Sequence, residues 1–270
     1  MNLVVVVQAR TGSTRLPGKV LLPLAGKPLL QRMIERIQAA TTAFRLVVAT
    51  TVDACDDPVR KLCNDIGVRC YSGHQTDLLD RHYQAATLEK ADTVAKIPSD
   101  CPLIDPAVID RVLTFFLQNI SDFDFVSNLR PPTYPDGHDV EIMSYAVLQA
   151  AWKEASRDFE REHTTPFIWE RPERFRIGNV EWETGLNYSM SHRWTIDYPQ
   201  DYDFIESVYR RLWSESKPVF SMHDVLDLLK REPELQSINS RYAGLNWYRH
   251  HIHELGTVSP KETRQTPLEQ

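Results

Sequence analysis

An α/β fold with a mostly parallel sheet lying between helices is what this chain predicts, on three observations. Short apolar runs alternate with segments of helical period through the first half. The first run leads straight into a loop rich in Gly, Ser, Thr and Arg, and ligands of open parallel sheets bind just past strand ends. The composition is that of a globular chain, 42% hydrophobic and 25% charged over 270 residues, long enough to bury a sizeable core.

Taken in order, residues 3–7 are a continuous β-branched and leucine run that reads as a buried strand. Pro28 opens a helix on which Leu29, Leu30, Met33, Ile34 and Ile37 share one face. Residues 45–50 read as a strand, 57–66 as a helix, 68–71 as a strand, 77–90 as a helix and 93–97 as a strand. Asp105, as N-cap, and Pro106 open another helix with Val108, Ile109, Val112, Leu113, Phe116 and Leu117 as its apolar set. Residues 123–127 close the series as a strand. Three prolines within 130–135 then mark a turn or linker. Strands are expected at 140–143, 175–182 and 188–195, and helices at 145–155, 198–213 and 223–231. One domain is expected over 1–255, with its main part at 1–129 and 191–232 and a smaller inserted lobe at 130–190. Residues 256–270 are polar, hold two prolines and show no periodicity, so they are expected to be disordered.

Charge and cysteine usage exclude several classes. A net charge of −6 lacks the basic footprint that general nucleic-acid binding needs, though one basic pocket for one phosphate ligand is compatible with it. The apolar run at 3–7 is far shorter than the ~20 residues of a membrane span. No charged segment precedes it, and Arg10 soon follows, so no export signal is read. Cys55, Cys63, Cys70 and Cys101 form no C-x-x-C pair and are expected as reduced thiols of a soluble, cytoplasmic protein.

The most informative segment is residues 8–19, QARTGSTRLPGK. Gly12 and Gly18 let the backbone approach a ligand closely, with N–H groups facing phosphate oxygens. Arg10, Arg15 and Lys19 place three cations within ten residues, the neutralisation a triphosphate needs. A Walker A loop is ruled out: five residues separate Gly12 from Gly18 where that motif has four, and Val20 stands where its hydroxyl belongs. On the residues alone, the segment is either a phosphate cradle or a solvated basic loop capping the sheet.

Residues 8–30, QARTGSTRLPGKVLLPLAGKPLL, resemble the N-terminal signature of cytidylyltransferases, which make CMP-activated sugar acids such as acylneuraminates and 3-deoxy-manno-octulosonate. Within that group the chain is most similar to the spore-coat polysaccharide biosynthesis protein F family. The sugar-acid enzymes usually begin the motif Pro-Ala-Arg, where this chain has Gln8-Ala9-Arg10. The resemblance runs from about residue 3 to about 232 and implies a Rossmann-like nucleotide-diphospho-sugar transferase fold. It implies that Arg10, Ser13, Arg15 and Lys19 hold the triphosphate of CTP, with Ala9 and Gly12 beside them. Gly73 and Asp77, with Arg81 behind, are implied as contacts of base and ribose; without the resemblance these residues read only as a strand–turn–helix junction with Asp77 or Thr76 as cap.

Asp100 and Asp197 each follow an expected strand, and magnesium favours one or two carboxylates plus phosphate and water oxygens. The resemblance implies that these two aspartates hold Mg2+; Asp197 also stands where it could cap the next helix. Catalysis is expected from Arg10, Arg15, Lys19 and Asp100. Two dense polar clusters follow, Asp136-Gly137-His138-Asp139-Val140-Glu141 and Glu160-Arg161-Glu162-His163-Thr164-Thr165-Pro166. They resemble the D-G-x-D-V-E and E-R-E-H-x-T-P segments of the spore-coat family. Asp136, Asp139, Glu141, Glu160, Arg161 and His163 are accordingly expected around the acceptor, the plain alternative being solvated charged faces. His138 takes a place where an apolar residue is expected. The implied activity is transfer of CMP from CTP to a sugar or sugar acid, with pyrophosphate released, for surface polysaccharide or glycan synthesis by a homodimer built through the smaller lobe. A glycosyltransferase using a ready-made nucleotide sugar, or a non-catalytic nucleotide-binding protein, are the rival readings.

Overall fold

Strand β1 (Leu3–Gln8) has five consecutive buried residues, so both of its faces must be covered. The structure, a computed structural model describing residues 1–269, covers them in the way the alternation of a strand dictates. Leu3, Val5 and Val7 pack into one apolar cluster with α1 (Leu29–Gln38), α2 (Asp57–Asp65) and α4 (Pro106–Gln118). Val4 and Val6 pack into a second with α3 (Leu78–Leu88), α5 (Tyr145–Glu154) and α7 (Pro166–Trp169). Each fully buried Val or Leu contributes about 1.5–3 kcal/mol over the exposed side chain, and β1 is the axis on which both layers depend.

Neighbouring strands are β4 (Arg45–Thr51), β5 (Arg69–Gly73), β6 (Thr93–Pro98), β7 (Phe125–Ser127), β8 (Glu141–Ser144) and β9 (Ile177–Asn179). Between β1 and α1 lies a two-residue hairpin, β2 (Pro23–Leu24) with β3 (Lys27–Pro28). The sheet order is β5-β4-β1-β6-β8-β7-β9. Strands β5, β4, β1 and β6 are parallel, so the loops that follow β1, β5 and β6 gather along one edge. Asp105 caps α4, accepting from the Ala107 N–H at 2.8 Å. Asp77 caps α3, accepting from the Asp80 N–H at 2.8 Å. Gln8, Leu78 and the buried His82 are joined by hydrogen bonds, so the end of β1 is fastened to the start of α3.

Three expectations are corrected. Residues 130–190 do not stand apart as a lobe: β8 inserts antiparallel between β6 and β7, and β9 extends the same sheet. Ile142 and Met143 are buried on opposite faces, which a lobe edge could not provide. Residues 188–195 form turns rather than a strand, with Ser191 and His192 N–H groups both returning to the Tyr188 carbonyl. Residues 256–269 lie against the body: Glu170 accepts from the Gly256 and Thr257 N–H groups, and the Arg264 N–H donates to the Gly244 carbonyl.

The remaining helices are α6 (Asp158–His163), α8 (Pro199–Leu212), α9 (Met222–Arg231) and α10 (Glu234–Ser237). Helices α8 and α9 share a third apolar cluster with Trp194 and Ile196. All four cysteines are free thiols, and no helix among the described residues is long and apolar enough to cross a membrane.

Buried histidine gives the fold an acid sensitivity. His138 is 1% exposed. Burial, opposed by Asp105 and the Pro135 carbonyl, pushes its imidazole down to about 4. The unfolded chain binds a proton there from about pH 6.5 downward, so the stability His138 supports is complete above that value and is lost on acidification. Between pH 7 and pH 5 the loss is about 2 kcal/mol for this residue. His82, also buried and depressed, adds in the same sense. Asp139, pushed up to about 7, acts oppositely, because the folded state binds its proton more readily. Urea unfolding at both pH values should therefore show the His138→Gln variant losing about 2 kcal/mol less than the native chain. An unchanged pH dependence in that variant would contradict the assignment.

Candidate active site

The loop after β1 is held in shape by its own residues. The Thr11 N–H and hydroxyl both donate to Asp56 Oδ1 at 2.7 Å, and the Thr51 hydroxyl donates to Oδ2 at 2.5 Å. Burial raises the Asp56 carboxyl, but the hydrogen bonds from Thr51 and Thr11 outweigh it and hold the group below its ordinary value. Gly18 has φ 70°, the left-handed region that favours glycine, and its N–H reaches back to the Thr11 carbonyl at 2.9 Å. The Ser13 hydroxyl accepts from the Leu16 N–H inside the loop. Ala9 is buried beneath it and Gly12 is exposed at its tip.

The resulting loop delivers its cations to different places. Arg10 donates to the Gln75 carbonyl at 3.1 Å, joining the loop after β1 to the loop after β5. Lys19 Nζ donates to the Ile196 carbonyl at 2.6 Å and to Asp197 Oδ1 at 2.9 Å, and lies 3.8 Å from Asp100 Oδ2. Arg15 reaches the same Asp197 oxygen at 2.8 Å. Asp100 and Asp197, distant in sequence, thus face one ammonium group. Burial raises the Asp197 carboxyl, while Lys19, Arg15 and Arg193 together bring it below its usual value. Asp197 is not a helix cap; Asp201 accepts the N–H groups of Asp197 and Tyr198 instead.

Behind Asp197 sits Arg193, 2% exposed. It donates to both oxygens of Asp201 at 2.9 and 3.0 Å, to Asp197 Oδ2 at 3.2 Å and to Asp136 at 3.5 Å. Burial lowers its pKa, yet the bond to Asp201 and the charges of Asp136, Asp201 and Asp197 raise it overall. Gly137 brings the 136–141 segment against this array. A β-carbon at Gly137 would lie 2.7 Å from the Trp194 carbonyl carbon, and its φ of 110° also favours glycine. Asp136 N–H and C=O bond to His192 and Trp194 across that contact.

A cavity of about 300 Å³ opens beside the array, lined by Arg15, Asp100, Asp136, Asp139, Glu141, His163 and Asp197 among others. Lys96 pairs with Glu141, and the Thr165 hydroxyl donates to Glu141 at 2.7 Å. Burial and the charges of Asp100 and Glu141 push Asp139 up to about 7; burial also holds Asp136 well above its ordinary value. Burial and Lys96 push His163 down to about 3, so it is a neutral ring in the wall.

Other expected contacts have structural roles. Glu160, expected at the acceptor, has no exposure; it caps α6 and pairs with Arg157 and Arg171. Arg161, expected there too, binds Asp77 Oδ2 through two N–H groups at 2.6 and 2.8 Å. Neither lines the cavity, because the short helix α6 turns them inward and leaves Glu162 and His163 facing it. Asp77 itself has one oxygen on the α3 cap and the other on Arg161. Arg81 is 1% exposed and donates to Gln8. Gly73 is required by packing, since a β-carbon there would lie 2.6 Å from the Tyr71 ring. Residues that sequence reasoning missed are Lys96, Arg130, Trp169, Arg193, Trp247 and Tyr248. Only Arg130, a cation in front of a Pro-Pro pair, carried any local signal.

Asp100 and Asp197 are of the donor type a divalent cation takes, but both oxygens of Asp197 are engaged here, Oδ1 by Lys19 and Arg15 and Oδ2 by Arg193. Among the described residues no group of three or more His, Cys, Asp or Glu is placed to hold a metal alone. Two carboxylates completed by phosphate oxygens and water is the set that magnesium favours. The side chain of Asp100 is 32% exposed beside the cavity, leaving it accessible.

Known proteins place the chain. A solved cytidylyltransferase structure from Leptospira borgpetersenii superposes with a TM-score of 0.81 at 31% identity, over 87% of this chain and 96% of that one. The spore coat polysaccharide biosynthesis protein SpsF of Bacillus subtilis is 28% identical over 86% of this chain and 96% of its own length. A 3-deoxy-manno-octulosonate cytidylyltransferase of Trichlorobacter lovleyi is 36% identical over 44% of this chain and 46% of its own. The sequence model of the cytidylyltransferases matches residues 4–225, and the chain belongs to the cytidylyltransferase family.

Proposed function

We propose that this protein transfers CMP from CTP to a hydroxyl of a sugar or sugar acid, releasing pyrophosphate. The observation that carries the reading is the convergence of Arg15, Lys19, Asp100 and Asp197, of which Arg15, Asp100 and Asp197 line the cavity. Nucleotidyl transfer asks a protein chiefly for positioning and charge stabilisation. In this reading the triphosphate lies along the 8–19 loop, with Arg10, Arg15 and Lys19 offsetting its charge. The acceptor occupies the cavity beyond Asp100. Its hydroxyl oxygen forms a bond to the α-phosphorus, the bond from that phosphorus to the β-phosphate bridge breaks, and the hydroxyl proton is released. Magnesium, held by Asp100 and Asp197, would supply further neutralisation at phosphate oxygens. The spore-coat relative's name supports a role in surface polysaccharide synthesis.

Pyrophosphate release from each of the four NTPs, against a panel of sugar acids, sugar phosphates and neutral sugars with magnesium, tests this. Release with CTP and a panel sugar, lost in Asp100→Ala, is the expected result. A protein that turns over a nucleotide sugar without pyrophosphate would be a glycosyltransferase, and one that binds CTP but turns over neither would be a binding protein.

A further inference from the structure

The cavity has a wall that the family's sequence model does not reach. That model ends at residue 225, yet Leu245, Asn246, Trp247, Tyr248 and Glu262 line the cavity. This wall is fastened by aromatic pairs. Trp247 stacks on His163 with ring centres 3.8 Å apart and planes 15° apart, and Tyr242 stacks on Tyr198 at 4.1 Å and 8°. Arg193 donates to the Leu245 carbonyl at 3.1 Å, tying the wall to the array behind Asp197.

One cation stands out against it. Of the arginines and lysines lining the cavity, Arg15 pairs with Asp197 and Lys96 with Glu141. Arg130 has no carboxylate partner among the described residues. Its guanidinium lies 3.1 Å from the centre of the Trp169 ring and donates one hydrogen bond to the Tyr248 hydroxyl at 3.1 Å. Its other guanidinium N–H groups make no hydrogen bond within the described residues. A guanidinium fixed by stacking, with donors left over in a concave site, is pre-organised to bind a planar anion in bidentate fashion.

We propose that the segment after residue 225 is the acceptor-selecting element of this chain. Through Tyr248, and with Trp169 from the body, it fixes Arg130 as the seat for a carboxylate on the acceptor. Seven carboxylates share the cavity. Glu141 is paired with Lys96, Asp136 with Arg193 and Asp197 with Arg15, Asp100 lies 3.8 Å from Lys19, and burial pushes Asp139 up to about 7, which leaves Glu162 and Glu262 as the ones an acceptor carboxylate on Arg130 must stand clear of. The inference rests on the proposed function only in taking the cavity as the acceptor's.

Saturation-transfer NMR on the full chain tests it, with N-acetylneuraminate and 3-deoxy-manno-octulosonate as probes, each set against its neutral methyl ester. The native protein should bind at least one acid about tenfold or more tightly than its ester. Arg130→Met should abolish that preference, Arg130→Lys should restore part of it, and Tyr248→Phe should weaken it. CTP affinity, measured on the same samples, should be unchanged in all three. Equal binding of acid and ester, binding of neither, or a preference that survives Arg130→Met would overturn the proposal. Because CTP binding is read separately, its absence would count against the proposed function and not against the seat.

Discussion

Replacing Lys19 by alanine lowers kcat/KM for CTP-dependent pyrophosphate release by about 10²–10³-fold, the range found when one preorganised charge stabiliser is removed. Lys19 is chosen over its neighbours because of what its ammonium touches. It donates to Ile196 and Asp197 and lies 3.8 Å from Asp100. Without it, Asp100 loses the one cation within 4 Å of it among the described residues, while Asp197 keeps Arg15 and Arg193. Arginine at the same position keeps the charge but not the compact ammonium geometry, so Lys19→Arg should recover only part of the rate. Steady-state kinetics with CTP varied checks this, with circular dichroism confirming that the fold persists. A Lys19→Ala enzyme within threefold of native would contradict the assigned role.

The second large effect is on stability. Arg193→Met leaves Asp201, with no exposure, and Asp197 and Asp136 without the guanidinium that joins them. Breaking a buried ion pair from one side costs about 3–5 kcal/mol, because the remaining charge is stranded. Urea unfolding at neutral pH should show a loss of that size. The asymmetry is itself a check: the Arg193→Met, Asp201→Asn double variant should lose less than Arg193→Met alone, since one stranded charge has been removed. A single variant that loses under about 1 kcal/mol would show the network to be dispensable for folding.

Much of the fold is legible in the sequence because amphipathic period is a direct record of burial. The residues of α1 and α4 named from spacing, such as Met33, Ile37, Val112 and Phe116, are core residues. The cation-rich loop after β1 is equally visible in the sequence, since charge density after a buried strand needs no tertiary information; its phosphate role is the proposal that nucleotide binding tests. Strand β8 is expected at 140–143, but not its place in the sheet, because a short stretch with three apolar residues, Val140, Ile142 and Met143, has no feature that separates the middle of a sheet from a lobe. Residues 188–195 alternate as a strand would, yet the Tyr188 and His192 rings stack at 4.1 Å across a turn. The stretch 256–269 has no apolar period at all; hydrogen bonds to Glu170 and Gly244 hold it. Polar ties of that kind leave no periodic trace. In the 160–166 cluster, charge density signalled importance but not direction: Glu160 and Arg161 hold the scaffold while His163 faces the cavity. Arg130 became a candidate only when folding brought Trp169 and Tyr248 to it from far along the chain.

Calorimetric titration of the protein with CTP, UTP, ATP and GTP in the presence of magnesium decides whether the loop after β1 holds a triphosphate. CTP should bind more tightly than the other three, and Lys19→Ala should weaken it sharply. If none of the four nucleotides binds, the loop after β1 is a solvated cap on the sheet, and the assignment of a triphosphate to it is contradicted.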